Sequence, residues 1–247
     1  MGVILAGGTG SRLFPLTLVT NKHLLPVYDE PMIYKVIKTL RNSGIEDICI
    51  LLGGESVGDF IRLLGDGHDL NVKLSYVYQK GAGGIAEALF LTQRIVHGQN
   101  IAVLLGDNIF EDAFKQQVEA FEKDNQHDCY LFLKEVPDPE RFGVATVDKD
   151  GNIIKIVEKP KTPESNMAVT GLYFYKANIF ERIQKVIDTI GRSKRGELEI
   201  TDVNNLYVKD HSVKAIPVNG FWSDAGKFDT LLKSSNFMKN LKDKEKK

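Results

Sequence analysis

The chain has 247 residues, of which 43% are hydrophobic and 26% are charged, and its net charge at pH 7 is -1. These proportions are ordinary for a globular protein, and the near balance of charge argues against broad electrostatic attraction to nucleic acid or to an anionic membrane. The two cysteines, Cys49 and Cys129, lie inside apolar runs, which predicts two buried thiols rather than a disulfide framework.

The amino terminus reads MGVILAGG, and its short apolar stretch lacks the basic region of a secretory signal peptide. No apolar run approaches the ~18–20 residues that a membrane-spanning helix needs. We therefore expect a cytoplasmic protein that has neither a membrane nor a nucleic-acid partner.

Short apolar runs alternate with helical patterns through the first half of the chain. Apolar residues recur at helical spacing between residues 32 and 40, Gly44 offers an end to that helix, and two further helices are predicted at 84–95 and 111–122. The alternation predicts an α/β fold with a Rossmann-like, mostly parallel sheet flanked by helices, whose ligands lie at the carboxyl ends of the strands. The predicted strands are 3–6, 47–52, 74–78, 101–105 and 129–133.

The pattern changes from about residue 142. Residues 143–147 and 152–159 flank the turn DKDG and predict a β-hairpin, and residues 168–175 predict another strand. Helices are predicted at 179–190, at 200–208 and from 228 onward. Because no Pro-, Ser- or Gly-rich linker separates the halves, we expect one domain over 1–240, with parts at about 1–135 and 136–240, and a frayed end at 241–247.

A glycine-rich loop follows the first predicted strand. The segment VILAGGTGSRLFPLT (3–17) runs from apolar residues directly into Gly7, Gly8, Thr9 and Gly10, and Arg12 comes next. Glycines let backbone amides approach phosphate oxygens, and the arginine guanidinium adds a fork of donors for a polyphosphate. Considered alone, the same residues also fit a tight turn with a surface arginine.

Two common nucleotide motifs fit this loop poorly. GGTGSR lacks the third glycine of the dinucleotide-binding fingerprint at the required spacing, and Phe14-Pro15 interrupts the helix that should follow it. No GK[ST] ends the loop, so it is not a Walker A motif either. A dinucleotide-dependent oxidoreductase is therefore disfavoured.

The glycine-rich loop is the first of several distinctive blocks. In chain order these are GGTGSRLFPLT (7–17), NKHLLPVYDEPMI (21–33), LLGDNIF (104–110), DPERFGVA (138–145), EKP (158–160), AVTGLYFY (168–175), RGELEITDVNN (195–205) and WSDAG (222–226). Together they resemble the nucleotidyltransferases that activate sugar 1-phosphates, most closely the thymidylyltransferases of glucose 1-phosphate. The resemblance covers nearly the whole chain and implies the fold of the nucleotide-diphospho-sugar transferases, with a sugar-binding part inserted on the same sheet.

The resemblance implies an enzyme that transfers dTMP from dTTP to α-D-glucose 1-phosphate, releases pyrophosphate and uses Mg²⁺. Two alternatives stay open: transfer from UTP or with relaxed base specificity, and a catalytically silent subunit that binds sugar nucleotides. A silent subunit would be expected to lose the carboxylates or cations that this chain keeps. The resemblance is to a short form without the family's C-terminal extension, so no feedback site is carried over, and the oligomeric state, including a homo-oligomer, stays open.

The nucleotide-binding residues come from the first half. By resemblance, Arg12 and Lys22 balance charge on the triphosphate, and Gln79 and Gly84 read the nucleobase by hydrogen bonding and close backbone approach. From their surroundings alone, Lys22 would be taken for a surface lysine and Gln79 for a buried amide at a strand end.

Two aspartates are the predicted metal ligands. Asp107 follows the apolar run IAVLL, at the edge where such a sheet exposes functional side chains, and Mg²⁺ prefers one or two carboxylates together with phosphate and water. By resemblance, Asp224 in WSDAG is the second ligand. Either residue alone also fits a helix N-cap.

The resemblance places the sugar phosphate in the second half of the chain. Phe142 stands where many relatives have tyrosine, so any contact made by that hydroxyl is absent here. The implied catalytic residues are Arg12, Lys22, Asp107, Lys159 and Asp224. The implied sugar-phosphate site comprises Asn108, Gly143, Glu158, Lys159, Thr170, Tyr173, Arg195 and Trp222.

Overall fold

The computed structural model describes residues 1–246. Its strands are β1 Gly2–Ala6, β2 Pro26–Val27, β3 Glu30–Pro31, β4 Asp47–Gly53, β5 Lys73–Gln79, β6 Ile101–Leu105, β7 Asn108–Phe110, β8 Cys129–Glu135, β9 Gly143–Val147, β10 Ile153–Glu158, β11 Met167–Tyr175, β12 Val213–Pro217 and β13 Trp222–Asp224. Its α-helices are α1 Met32–Asn42, α2 Val57–Leu64, α3 Ile85–Phe90, α4 Gln93–Val96, α5 Lys115–Lys123, α6 Ile179–Thr189, α7 Ile200–Lys209 and α8 Phe228–Glu245.

A nine-stranded sheet runs through the molecule. In the first half, β1 pairs in parallel with β4 and with β6, and β4 pairs in parallel with β5. The parallel strands are covered on both faces, which explains why β1 and β4 are near-continuous apolar runs rather than alternating ones. The α/β prediction is confirmed, and each strand predicted in this half is present.

The long strand β11 joins the second half to the same sheet. It pairs antiparallel with β6, β8 and β9, while β9 and β10 form the predicted hairpin and β12 pairs in parallel with β8. Because β6 and β9 share β11 as a neighbour, the carboxyl end of the parallel strands faces the hairpin. This arrangement places residues from both halves around one cleft.

The buried side chains form two clusters, one on each face of the sheet. In β1, Ile4 belongs to one cluster and Val3 and Leu5 to the other, as expected from the alternation of side chains along a strand. Helix α1 covers the first face with the predicted stripe, and it ends at Asn42, two residues before Gly44, whose φ is 85°. The stripe is Met32, Ile33, Val36, Ile37 and Leu40, all buried. Both cysteines are buried and free, as predicted.

Two predicted helices are shorter in the structure. The helix expected at 84–95 is divided into α3 and α4, and between them both the amide and the hydroxyl of Thr92 donate to the Leu89 carbonyl oxygen. The helix expected at 111–122 starts only at Lys115. The side chains of Glu111 and Asp112 instead accept hydrogen bonds from the backbone amides of residues 221 and 220.

Some short elements were not predicted. Helix α2 was missed, although Phe60 and Leu64, which it buries, have helical spacing. The short strands β7 and β13 were also missed, and they pair with each other apart from the main sheet. They matter most for the site, because each lies beside one of the predicted metal ligands.

The structure corrects the prediction for the carboxyl-terminal segment. Residues 241–245, predicted to be frayed, continue α8, because Lys242 forms ion pairs with Asp29 and Glu30. Lys239 and Asp243 add a pair one turn apart. Residue 247 lies outside the described residues. Within residues 1–246 no helix is long and apolar enough to span a bilayer.

Candidate functional site

A cavity of ≈ 370 Å³ opens at the carboxyl ends of the parallel strands. Its walls come from both halves of the chain, as the topology requires. Most of the residues that were predicted from separate blocks line it: Gly7, Gly8, Arg12, Lys22, Gln79, Gly84, Asp107, Asn108, Gly143, Glu158, Lys159, Thr170, Tyr173, Arg195, Trp222 and Asp224.

The glycine-rich loop reaches the cavity through Gly7 and Gly8. Thr9 and Gly10 are not among the residues that line it, and their contact with nucleotide stays a prediction. Gly10 has φ of 66°, and a Cβ there would lie 3.0 Å from Cβ of Lys22. The absence of a side chain at Gly10 therefore lets Lys22 pass beneath the loop into the cavity.

The two predicted metal ligands meet through backbone pairing. In the antiparallel pair of β7 and β13, Asn108 is opposite Asp224, and the amide of Ala225 donates to the carbonyl oxygen of Asp107 at 2.7 Å. Both carboxylates line the same cavity. The strand pair thus brings together two aspartates that are far apart in the sequence.

Asp107 is paired with a cation. Lys22 Nζ donates to Asp107 Oδ2 at 2.5 Å, and the Asn108 amide donates to Oδ1 at 2.9 Å. Burial alone would raise the pKa of the Asp107 carboxyl, but the charge of Lys22 and these hydrogen bonds hold that pKa well below its usual value. The carboxylate is therefore ionised and acts as an acceptor.

Asp224 has a partner that the sequence reading missed. Arg141 Nη2 donates to both oxygens of Asp224, at 2.8 and 2.7 Å, and its Nη1 donates to Asp138 at 2.6 Å. Burial raises the pKa of Asp224, Arg141 offsets part of that effect, and the negative charge of Asp107 adds to it. Arg141 lies in the block DPERFGVA, from which the resemblance implies only Gly143 as a site residue.

The oxygen donors of the site fit a divalent cation whose coordination shell is completed by substrate. Two carboxylates share one cavity, with Asp107 close enough to raise the pKa of Asp224, and two is within the number of carboxylates that Mg²⁺ usually takes from protein when phosphates supply other ligands. Within residues 1–246 no group of three or more His, Cys, Asp or Glu side chains is placed to hold a metal by itself.

Asn108 and Trp222 lie behind the site rather than only at its surface. Trp222 Nε1 donates to Asn108 Oδ1 at 2.7 Å, and the Gly171 amide donates to the same oxygen at 3.0 Å. Both side chains are buried. Their polar atoms are used within the protein, where the Asn108 amide supports Asp107, and the contact of both residues with the sugar phosphate stays a prediction.

The opposite end of the cavity carries a cluster of charged residues. Glu158 Oε2 accepts from the Thr201 hydroxyl at 2.6 Å, and Arg195 Nη2 donates to Glu158 at 3.3 Å and to Glu199 at 2.8 Å. Lys159 Nζ lies 3.4 Å from Glu158 Oε1. Arg195 was predicted to donate hydrogen bonds to phosphate, and here its guanidinium is held by these carboxylates. Thr201 and Glu199 were not singled out from the sequence.

The floor of this end comes from β11 and the hairpin. Thr170 and Tyr173 are buried on β11, and burial raises the pKa of the Tyr173 phenol, which stays neutral. Gly143 faces Glu158 across the hairpin, and a Cβ on Gly143 would lie 3.5 Å from Glu158 Oε2. Phe142 packs against Trp222 with ring centroids 5.1 Å apart.

The remaining side of the cavity is a slot lined by apolar residues and by the side-chain amide of Gln79. Gln79 ends β5 and is buried. Gly84 has φ of 98°, and a Cβ there would lie 2.5 Å from the Leu198 carbonyl oxygen, so only glycine fits. The apolar residues on this side are Leu5, Leu51, Ala82, Ile85 and Ala88. Such a slot suits a flat heterocycle.

One buried histidine was also missed. His23 lies beside the Lys22–Asp107 pair, with its Nδ1 2.6 Å from Asn21 Oδ1. Burial, assisted by the charge of Lys22, lowers the pKa of His23 to about 3. The ring is therefore neutral at pH 7 and adds no cation to the site.

Comparisons with known proteins agree with this geometry. The family model described as Nucleotidyl transferase matches residues 1–240. The glucose-1-phosphate thymidylyltransferase of Neisseria gonorrhoeae is 40% identical over 242 residues, which are 97% of this chain and 83% of that protein.

Two solved structures extend the comparison. One, named as a glucose-1-phosphate thymidylyltransferase from Bacillus anthracis in complex with sucrose, is 45% identical, has a TM-score of 0.88 and covers 96% of this chain and 94% of its own. The other, a UDP-glucose pyrophosphorylase complexed with UDP-glucose, is 25% identical, has a TM-score of 0.83 and covers 97% of this chain and 98% of its own.

Proposed function

The chain belongs to the nucleotidyl transferase family, and from this premise we propose that it transfers the thymidylyl group of dTTP to α-D-glucose 1-phosphate and releases pyrophosphate. The observation that carries the proposal is the meeting of Asp107 and Asp224 at one cavity that the glycine-rich loop also lines. The names of the N. gonorrhoeae relative and the B. anthracis structure support the choice of nucleotide and sugar.

The reaction brings two polyanions together, so neutralising charge is the main task of the site. Arg12 and Lys22 are on the side of the glycine-rich loop, where they would balance charge on the triphosphate and on the departing pyrophosphate. Lys159 and Arg195 are at the end formed by the second half, where they would hold the sugar phosphate. The cations are thus divided between the two substrates.

Asp107 and Asp224 would hold the divalent cation, which we propose to be Mg²⁺. When bound, the ion supplies positive charge to the reacting phosphates. Lys22 and Arg141 now neutralise these two carboxylates. Lys22 would be available to phosphate oxygens once another charge takes its place beside Asp107, whereas Arg141 would keep Asp224 in orientation.

The bond changes need no general base. An oxygen of the sugar phosphate forms a bond to the α-phosphorus of dTTP, the bond from that phosphorus to the bridging oxygen breaks, and the electron pair leaves with pyrophosphate. A phosphate monoester has a second pKa of about 6, so the nucleophile is already ionised near pH 7. Because the pKa of Asp107 is low, its carboxylate is also poorly suited to accept a proton.

The proposal assigns the two substrates to different parts of the chain. Residues of about 1–135 would bind the nucleotide and those of about 136–240 the sugar phosphate, within one domain. A cytoplasmic location stays a prediction from the sequence.

The test is pyrophosphate release by the purified protein with MgCl₂, across dTTP, UTP, dCTP and ATP and across glucose, galactose and mannose 1-phosphates. The proposal expects the highest kcat/KM with dTTP and glucose 1-phosphate. A clear preference for UTP would favour the uridylyltransferase alternative, which the likeness to UDP-glucose pyrophosphorylase supports. No release with any pair from a folded protein would refute the transferase activity.

A further inference from the structure

The amide of Gln79 is fixed at the end of the apolar slot. Gln79 ends β5 next to Gly53 of β4, and the residue is only 4% exposed. A Cβ on Gly7 would lie 2.9 Å from Gln79 Oε1, so this oxygen lies directly over the first glycine of the loop. Since Gly7 lines the cavity, the carbonyl end of the amide is turned toward the ligand space.

A carboxylate holds the other end of the amide. Gln79 Nε2 donates to Glu87 Oε1 at 3.3 Å, and Glu87 stands in α3 behind the slot. Glu87 also packs against Gly83, where any side chain would collide with its carboxylate. An ionised carboxylate only accepts hydrogen bonds, so the group of Gln79 that faces it is the NH₂.

An arginine from the second half holds the carboxylate in turn. Arg192 Nη2 forms an ion pair with Glu87 Oε2, while Arg192 Nη1 donates to the carbonyl oxygens of Gly83 at 3.2 Å and Gly196 at 3.0 Å. The Leu198 amide donates to the Gly83 carbonyl oxygen as well. Glu87 is therefore held from two sides and cannot turn away from Gln79 without breaking these contacts.

We propose that Glu87, held by Arg192, is a positioning residue that locks the Gln79 amide with its oxygen toward the nucleobase and thereby selects bases with an N–H donor. This inference rests on the proposed function and on the expectation from the resemblance that Gln79 contacts the nucleobase. Thymine and uracil carry a hydrogen on N3, which Gln79 Oε1 would accept. Cytosine has an unprotonated N3, so two acceptors would face each other, and a site built for one hydrogen-bonding pattern rejects the other strongly.

The test compares binding of dUTP and dCTP, which have the same sugar and no methyl group and differ only in the N3–C4 edge of the base. Dissociation constants are measured by calorimetry with MgCl₂ and without sugar phosphate, for the wild type, Glu87→Gln and Arg192→Gln. Glu87→Gln keeps the shape but lets its amide either donate or accept, which frees Gln79 to turn. The exposed α5 residue Glu119, as Glu119→Gln, is the matched control.

We expect the wild type to prefer dUTP, and Glu87→Gln to reduce the ratio of the two dissociation constants at least tenfold, in part by tighter dCTP binding. Arg192→Gln should shift the ratio in the same direction by a smaller factor, and Glu119→Gln should leave it unchanged. A wild type that binds the two nucleotides equally, or not at all, would overturn the inference. So would a Glu87→Gln protein, folded by circular dichroism, that weakens both nucleotides equally.

Pyrophosphate release is measured separately on the same preparations. A wild type that selects dUTP in binding but releases no pyrophosphate with any substrate pair would refute the proposed function and support the base selection. A wild type that turns over dTTP while Glu87→Gln retains its base preference would refute the positioning role alone. The two failures are therefore distinguishable.

Discussion

Arg141 Nη2 donates to both carboxylate oxygens of Asp224, at 2.8 and 2.7 Å. The pair joins the turn before the hairpin to the short strand β13, which carries one of the two proposed metal ligands. On the other aspartate, Lys22 has the equivalent place. The two acidic groups of the site are thus each held by a cation from a different block of the sequence.

The first prediction concerns Arg141. Arg141→Gln should lower kcat by about 10–100-fold, because partners that orient metal-binding side chains have effects of this size. Arg141→Lys should recover only part of the loss, since lysine keeps the charge but lacks the planar fork. Steady-state pyrophosphate release measures both, with Arg62→Gln on the exposed face of α2 as control. Normal kcat in a folded Arg141→Gln protein would contradict the orienting role.

Asp107→Asn should reduce turnover by about 10²–10³-fold or more, because it removes a charge at the reacting phosphates. The fold should persist, since asparagine has nearly the same shape and Lys22 is near the cavity. The measurement is single-turnover pyrophosphate release alongside thermal unfolding, with Asp150→Asn in the exposed hairpin turn as the matched control. Near-normal turnover in the folded variant would refute the metal role of Asp107.

Trp222→Phe tests the support behind Asp107. The change keeps an aromatic ring against Phe142 but removes the indole N–H that donates to Asn108. We expect a loss of about 0.5–1.5 kcal/mol in the free energy of unfolding, because the buried Asn108 oxygen loses one of its two donors and keeps the Gly171 amide. Denaturant titration measures it. Turnover should fall as well, by about 10-fold or more, because Asn108 steadies the carboxylate. Unchanged stability and turnover would show that the hydrogen bond has no such role.

The fourth prediction concerns the pH dependence of the stability that Glu30 contributes to the fold. Burial tends to raise the pKa of Glu30, but hydrogen bonds and charge from Lys38 and Lys35 lower it to about 2 from the usual 4.5. A carboxyl whose pKa is lower in the folded protein stabilises the fold above the unfolded value and loses that contribution as pH falls through the folded value. Glu30→Gln should therefore lower the Tm at pH 7, and the difference should shrink between pH 4.5 and 2.

Thermal unfolding of both proteins across this range provides the measurement. Glu55→Gln, an exposed glutamate in the loop before α2, is the control and should show no such window. A Tm difference that stays constant from pH 7 to pH 2 would contradict the assignment, because it would show that the charge of Glu30 is not what stabilises the protein.

The regular elements were largely predictable because they depend on local pattern. The apolar runs of β1, β4 and β6 and the stripe of α1 follow from burial on both faces of a sheet and on one face of a helix. The late start of α5 was not predictable in the same way. It depends on two backbone amides near residue 220, which capture Glu111 and Asp112.

The sequence by itself determined which residues could carry the chemistry: the glycine-rich loop, the two aspartates and the cations of the recognised blocks. Only the tertiary structure decided how they are held. The bond from Arg141 to Asp224, the support of Asp107 by Asn108 and Trp222, and the pair of Glu87 and Arg192 join segments that are distant in the chain. Such contacts leave no periodic pattern, because they depend on which loops folding brings to the same edge of the sheet.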